Sequence, residues 1–217
     1  MTDSERWDHS IHYYPVLMKA LPTHSAKALD IGCGNGILTR HLRTRVARVI
    51  GIDIDPPMIE LAKKETCSSL DGIEFVFGDI LTYPFELESF DVIASVATLH
   101  HIDTVAALQR IRSLLRPGGT LVIIGIARSR IPQDLFYNFG GIVASRLFKL
   151  KRTFWHHPAP MVWPPKDTFA DVERIAKSVL GKDVVYRRHL LFRLQRRSLG
   201  QPLLCPLGRG TLGHRCN

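Results

Sequence analysis

The sequence predicts an α/β fold in which a doubly wound, mostly parallel sheet lies between two layers of helices. Three observations predict it. Short apolar runs alternate with helical patterns through the first 127 of 217 residues, the first run passes into a glycine-rich turn, and no repeat or low-complexity tract interrupts the rhythm. With 45% apolar and 23% charged residues the chain has a globular composition, and at this length it buries a core without disulfide staples.

The candidate strands are residues 28–31, 49–52, 73–76, 90–95 and 120–126. Between them, Leu38 and Leu42 share one helix face, Ile59 and Ala62 the next, and Leu108, Ile111 and Leu115 form an amphipathic stripe closed by Pro117-Gly118-Gly119. Asp55, ahead of Pro56-Pro57, reads as the N-cap of the second of these helices, and Asp103 caps the third. Residues 128–167 lose the periodicity and read as an insertion. Thr168 then opens a helix with the stripe Val172, Ile175 and Val179, stopped by Gly181, and a last strand is expected at 184–192. Residues 1–193 are thus read as one domain and 194–217 as a loose tail.

Charge divides the chain. Residues 1–127 carry net −3 and residues 128–217 net +12, which account for the total of +9. Without a recognised nucleic-acid fold, the basic half reads as a solvated face ahead of an anionic partner. Cys33, Cys67, Cys205 and Cys216 form no CxxC pair, which argues for free thiols rather than a zinc module. The longest apolar run, 121–127, is far short of the roughly 20 residues of a bilayer span. With no apolar secretory segment at the start, the chain is expected to be cytoplasmic.

The chemistry begins at Ala28-Leu29-Asp30-Ile31-Gly32-Cys33-Gly34-Asn35-Gly36-Ile37, a strand entering a glycine turn and a helix. Glycines let a backbone approach a ligand closely and accept positive φ. A dinucleotide would want G-x-G-x-x-G/A, but Ile37 fills the position that must be small. Asp30 opposes a diphosphate as well, and suits an ammonium or sulfonium. Asp53, at the end of the second strand, can accept hydrogen bonds from both hydroxyls of a ribose. Gly78-Asp79-Ile80 closes the third strand, where a short acid can accept from an exocyclic amine.

These words resemble the class I S-adenosylmethionine-dependent methyltransferases, particularly the small-molecule group that includes ubiquinone and menaquinone methyltransferases. The resemblance rests on Leu29-Asp30-Ile31-Gly32-Cys33-Gly34-Asn35-Gly36, Gly51-Ile52-Asp53, Gly78-Asp79-Ile80, Phe90-Asp91-Val92-Ile93-Ala94-Ser95 with Leu99-His100-His101, and Leu115-Arg116-Pro117-Gly118-Gly119. It implies a Rossmann-like, three-layer αβα fold with seven strands, one antiparallel, and S-adenosyl-L-methionine as cofactor. Asp30 with Gly32, Cys33, Gly34, Asn35 and Gly36 would hold the methionine part. Asp53 would bind the ribose, Ile54 and Met58 would flank the adenine, and Gly78, Asp79 and Ile80 would meet its edge. Ser95 and Ala97 would line the passage between sulfonium and substrate.

Methyl transfer from a sulfonium is a direct displacement, so the protein must chiefly align the reactants in a dry pocket. A general base is optional; His100 and His101, beyond the fourth strand, are the candidates, with packing or capping as the competing role because adjacent side chains are expected to diverge. The resemblance implies that residues 7–22, with His12, Tyr13 and Tyr14, and 128–167, with Phe136, Tyr137, Phe139, Phe154, Trp155, His156 and His157, enclose the acceptor. The aromatics point to a flat or apolar small molecule. His156-His157 lacks acidic partners at useful spacing, so no metal is expected. Residues 136–155 form a basic amphipathic pattern that could touch a membrane surface, though most such stretches are lids. Three alternatives stand beside this reading: a nicotinamide-dependent oxidoreductase, a nucleic-acid methyltransferase, and a cofactor-binding subunit without turnover.

Overall fold

The computed structural model describes residues 8, 10–66, 70–128, 139–140 and 164–181. A 3-10 turn, Ile11–Tyr13, leads into α1 (Tyr14–Ala20), followed by β1 (Ser25–Ile31), α2 (Ile37–Arg43), β2 (Val46–Asp53), α3 (Pro56–Glu65), β3 (Ile73–Phe77) and β4 (Phe90–Val96). A second 3-10 turn, Leu99–His101, precedes α4 (Thr104–Leu114), β5 (Leu115–Ile124) and α5 (Phe169–Leu180). The five strands pair in parallel in the order β3-β2-β1-β4-β5. The chain winds outward from β1 to β3 and returns to lay β4 on the other side of β1, so the topological switch lies between β1 and β4. In open α/β sheets ligands sit outside the carboxyl ends of the strands at that switch.

Alternation along the strands builds two cores. Ala28, Val49, Val92, Ala94 and Val122 face α1 and α2 through Leu17, Leu38 and Leu42. Leu29, Ile31, Ile52, Ile93 and Leu121 face α4 and α5 through Leu108, Ile111 and Ala176. The result is the expected three-layer arrangement. The anticipated strand at 184–192, residues 129–163 other than Phe139 and Gly140, and the tail 194–217 lie outside the described residues. Cys67, Cys205 and Cys216 lie outside them too; Cys33 is a free, buried thiol. Among the described residues no helix is long and apolar enough to cross a membrane, and no three metal-ligating side chains gather.

Two local expectations are corrected. The α4 helix ends at Leu114 rather than running to Pro117-Gly118-Gly119, because Leu115 already pairs with Phe90 and the next paired residues are Val92 and Thr120. Residues 116–119 therefore loop out within the β4–β5 ladder, and Gly118 there has φ +76°. Asp55 occupies the N-cap position of α3, yet its side chain makes no cap bond. Pro56 and Pro57 remove the first amide donors of that helix, leaving little for such a cap to satisfy. By contrast, Asp103 accepts from the Ala106 amide at 2.8 Å, and Thr168 forms a reciprocal capping box with Asp171.

Asp91, part of the fourth-strand word, ties the sheet together at the amino ends of its strands. One carboxylate oxygen accepts from the Ala26 and Lys27 amides, each at 2.9 Å, and the other from Arg116 at 2.7 Å. Burial raises its pKa, but the Lys27 amide, Arg116 and the Ala26 amide outweigh that and hold it below the usual carboxylate value. Asp91→Ala is expected to cost about 1–3 kcal/mol in a denaturant titration at pH 7. Because the folded pKa is depressed, the stabilisation is present above pH 3.8 and is lost as pH falls through the folded value.

Candidate active site

The loop after β1 is bent by three left-handed glycines, Gly32 at φ +71°, Gly34 at +52° and Gly36 at +78°. Its start is laced onto the next strand: the Gly32 and Cys33 amides donate to the Ile52 carbonyl at 2.9 and 3.1 Å. Gly32 is irreplaceable on two counts, since a Cβ there would overlap the whole Thr98 side chain, whose own Cβ is 2.7 Å away. Gly51 in β2 serves the same closeness, because a Cβ there would lie 2.9 Å from Cys33 Cβ and from Thr39 Oγ1. Neither Thr98 nor Thr39 was among the candidate residues.

Asp53 ends β2 directly beside this loop. Its Oδ2 accepts from the Gly34 amide at 2.8 Å and its Oδ1 from the Asp55 amide at 3.0 Å. The Gly78 amide donates to the Asp53 carbonyl at 3.0 Å, which draws the tip of β3 against the tip of β2 and sets Asp79 next in line. Asp79 Oδ1 accepts from the Leu81 amide at 2.9 Å, and Ile80 is buried. Ile54 and Phe77 are exposed by 67% and 57%, although both are large and apolar, and Phe77 is in register with Asp53. Phe77 opens the Phe77-Gly78-Asp79-Ile80 word, which gives it no role of its own; its pairing with Asp53 is the signal that singles it out. Met58 is buried on α3.

Asp30 faces away from this group. It lies 1% exposed on the α2 side of β1 and accepts from Thr39 Oγ1 at 2.7 Å. Burial pushes its pKa up to about 7, with the Thr39 hydroxyl opposing and the Asp53 charge adding. The same burial, with Asp30 and Asp53 behind it, pushes the Cys33 thiol far up, so it stays protonated and is no nucleophile. The folded chain keeps the Asp30 proton up to about pH 7 while the unfolded chain releases it near 3.8. This contribution to stability is therefore full below the lower value and lost as pH rises to the upper one. Asp30→Asn keeps an acceptor for Thr39 and has no charge to bury, so its Tm relative to the parent is expected to rise between pH 4 and pH 8; a pH-independent difference would contradict this account.

On the other side of the switch, Ser95 is 1% exposed and donates to the Ile31 carbonyl at 3.1 Å. Ala97 takes φ +54°, unusual for a residue with a Cβ, and its amide donates to the Ile124 carbonyl at 2.7 Å. Backbone strain of about 1–2 kcal/mol at a strand tip is a recurrent feature of ligand sites. The turn that follows brings the His100 and His101 rings to 4.0 Å between centroids, contrary to the expected divergence, because a 3-10 turn does not splay successive side chains as a strand does. Both His100 ring nitrogens are buried without a hydrogen-bond partner. Burial and His101 push the His100 pKa down to about 4, and burial lowers His101 against the opposing pull of Asp53.

Two of the three acceptor candidates at the amino terminus are packed into the core. Tyr13 and Tyr14 are 5% and 9% exposed among Leu17 and Leu42. Tyr14 meets His41 of α2 edge-on at 5.5 Å, and His12 stands edge-on to Tyr13 at 4.8 Å.

A methyltransferase domain profile matches residues 29–123. An uncharacterized methyltransferase of Mycobacterium tuberculosis is 31% identical over 175 residues, 80% of this chain and 87% of that protein. The chain belongs to the methyltransferase family. The methyltransferase uses S-adenosylmethionine as methyl donor. Demethylmenaquinone methyltransferase of Staphylococcus epidermidis is 30% identical over 154 residues, 66% of this chain and 64% of that enzyme. Among solved structures, the YcgJ protein of Bacillus subtilis has a TM-score of 0.59 at 20% identity over 81% of this chain and 69% of that one, which shows the shared fold. The site fits the cofactor. Two carboxylates end adjacent strands, ready for hydroxyl and amine donors, and two apolar side chains stand exposed at the same tips, where a flat base would cover them.

Proposed function

We propose that the enzyme methylates a small, flat or apolar acceptor, and that the carboxyl tips of β1, β2 and β3 bind the adenosyl donor while the turn after β4 meets the acceptor. The observation that carries it is Asp53, held by Gly34 and Asp55 at a strand tip whose neighbours Ile54 and Phe77 are apolar and exposed. When bound, S-adenosylmethionine supplies an electrophilic methyl group beside a neutral leaving group.

Asp53 is assigned to the ribose hydroxyls, Ile54 with Met58 to the faces of the adenine, and Asp79, Gly78 and Ile80 to its edge. The backbone of residues 32–36 is assigned to the methionine part; Asp30 acts behind it through Thr39 rather than by contact. Ala97, with Ser95 packed beneath it, borders the passage to the acceptor. The relative named demethylmenaquinone methyltransferase supports an acceptor of quinone type for this site, and His12, edge-on to the buried Tyr13, is the one of the three amino-terminal candidates that is not buried.

His100 and His101 are neutral at pH 7 by their lowered pKa values, so either can take a proton from an acidic hydroxyl or carbon of the acceptor. Replacing the residue that does so by Ala is expected to lower kcat by about 10²-fold or more. With His100 as base, the acid limb of the rate profile falls near pH 4 rather than near 6.5. The test is transfer of a radiolabelled methyl group to demethylmenaquinol and simple catechols. Unchanged rates in both single variants would remove the histidines from the mechanism, and label on none of these acceptors would overturn the acceptor class.

A further inference from the structure

A glycine-rich loop does not hold its own shape. Each glycine has wide backbone freedom, so the conformation with three positive φ angles persists only through ties to neighbouring elements. The first half of the loop is tied by backbone amides to Ile52 and by the Gly34 amide to Asp53. The second half is tied to the far end of α3. Asn35, expected to touch the cofactor, is 2% exposed, and its side-chain amide donates to Glu65 Oε2 at 2.9 Å. The Asn35 carbonyl accepts from Arg40 Nη1 at 3.0 Å, and the same nitrogen donates to Thr66 Oγ1 at 3.1 Å. Arg40 Nη2 lies 3.6 Å from Glu65 Oε2, with the two side chains only 9% and 21% exposed.

Asn35 is therefore gripped at both its side chain and its backbone by a half-buried ion pair. Glu65 is the last residue of α3, where the helix dipole disfavours a carboxylate. The dipole gives no reason for an acid there, whereas Asn35 and Arg40 do.

We propose that Glu65, acting with Arg40 through Asn35, is a positioning residue that sets the loop for the adenosyl ligand. This rests on the reading of the loop as the methionine-binding segment. Fixing the loop before binding removes an ordering cost that the ligand would otherwise meet. Asn35 then contributes to cofactor affinity without its side chain touching the cofactor.

Two measurements on purified protein test this: hydrogen exchange of amides 33–36 without ligand, and calorimetric affinity for S-adenosylhomocysteine. Glu65→Ala is expected to speed exchange of those amides about tenfold, leaving Leu29 and Ile93 protected, and to weaken binding about tenfold. Glu65→Gln, which still accepts from Asn35 but lacks the charge for Arg40, is expected to show about a threefold change in each. Exchange and affinity equal to the parent in Glu65→Ala would overturn the proposal. If that variant does not fold, Glu65→Gln decides, and parental loop exchange in it overturns the proposal. Should the parent bind no S-adenosylhomocysteine, the adenosyl reading fails by itself, and the exchange result in ligand-free protein still decides the role of Glu65.

Discussion

Gly32→Ala is expected to abolish cofactor binding and lower Tm by roughly 5–15 °C. Two costs combine. An alanine at φ +71° pays about 1–2 kcal/mol of backbone strain, and its Cβ overlaps Thr98 Oγ1, Cγ2 and Cβ, an overpacking that typically costs about 1–3 kcal/mol. Relief requires the loop to move off Ile52 or the turn after β4 to move off the loop, and either motion disturbs the switch point between β1 and β4. A second variant separates the costs. Gly32→Ala with Thr98→Gly is expected to recover the steric part and leave the backbone part, measured by thermal unfolding. Parental Tm and affinity in Gly32→Ala alone would show that loop and turn are not in contact.

Asp53→Asn is expected to weaken S-adenosylhomocysteine binding about 10- to 100-fold, read by calorimetry. The two oxygens of Asp53 already accept from different amides, Gly34 and Asp55. An asparagine has one oxygen, so its NH2 group must oppose an N–H on one side, and the charge that strengthens both bonds is gone. Asp53→Ala removes both acceptors together with those assigned to the ribose, and its binding heat is expected to vanish. An affinity within twofold of the parent in Asp53→Asn would take Asp53 out of the site.

Much of this arrangement is legible in the amino-acid sequence because it depends on local pattern. The apolar cores of the five described strands, the glycine turn, and Asp53 and Asp79 beside the ends of β2 and β3 follow from periodicity and chain order, and these fall where expected. The strand beginnings do not. β1 and β2 start at Ser25 and Val46 because Lys27 pairs with Arg48 through backbone atoms, and polar side chains hide such pairing from a hydropathy pattern. Asp30 shows a similar limit: strand alternation places it with Ala28 toward α2, so its motif position suggests ligand contact while its face leads to Thr39. The close approach of the His100 and His101 rings follows from a 3-10 turn that no capping signal announces. Glu65 lies thirty residues from Asn35 in the chain, and only the packing of α3 beside the loop reveals their bond.

Hydrogen exchange of the parent protein with and without S-adenosylhomocysteine tests the central claim most directly. Added protection is expected at residues 32–36, 53–55 and 79–81, the ends of three adjacent parallel strands, with little change at the amino ends near Asp91. Protection confined to other segments, or none at saturating ligand, would contradict the placement of the adenosyl donor on these strand tips.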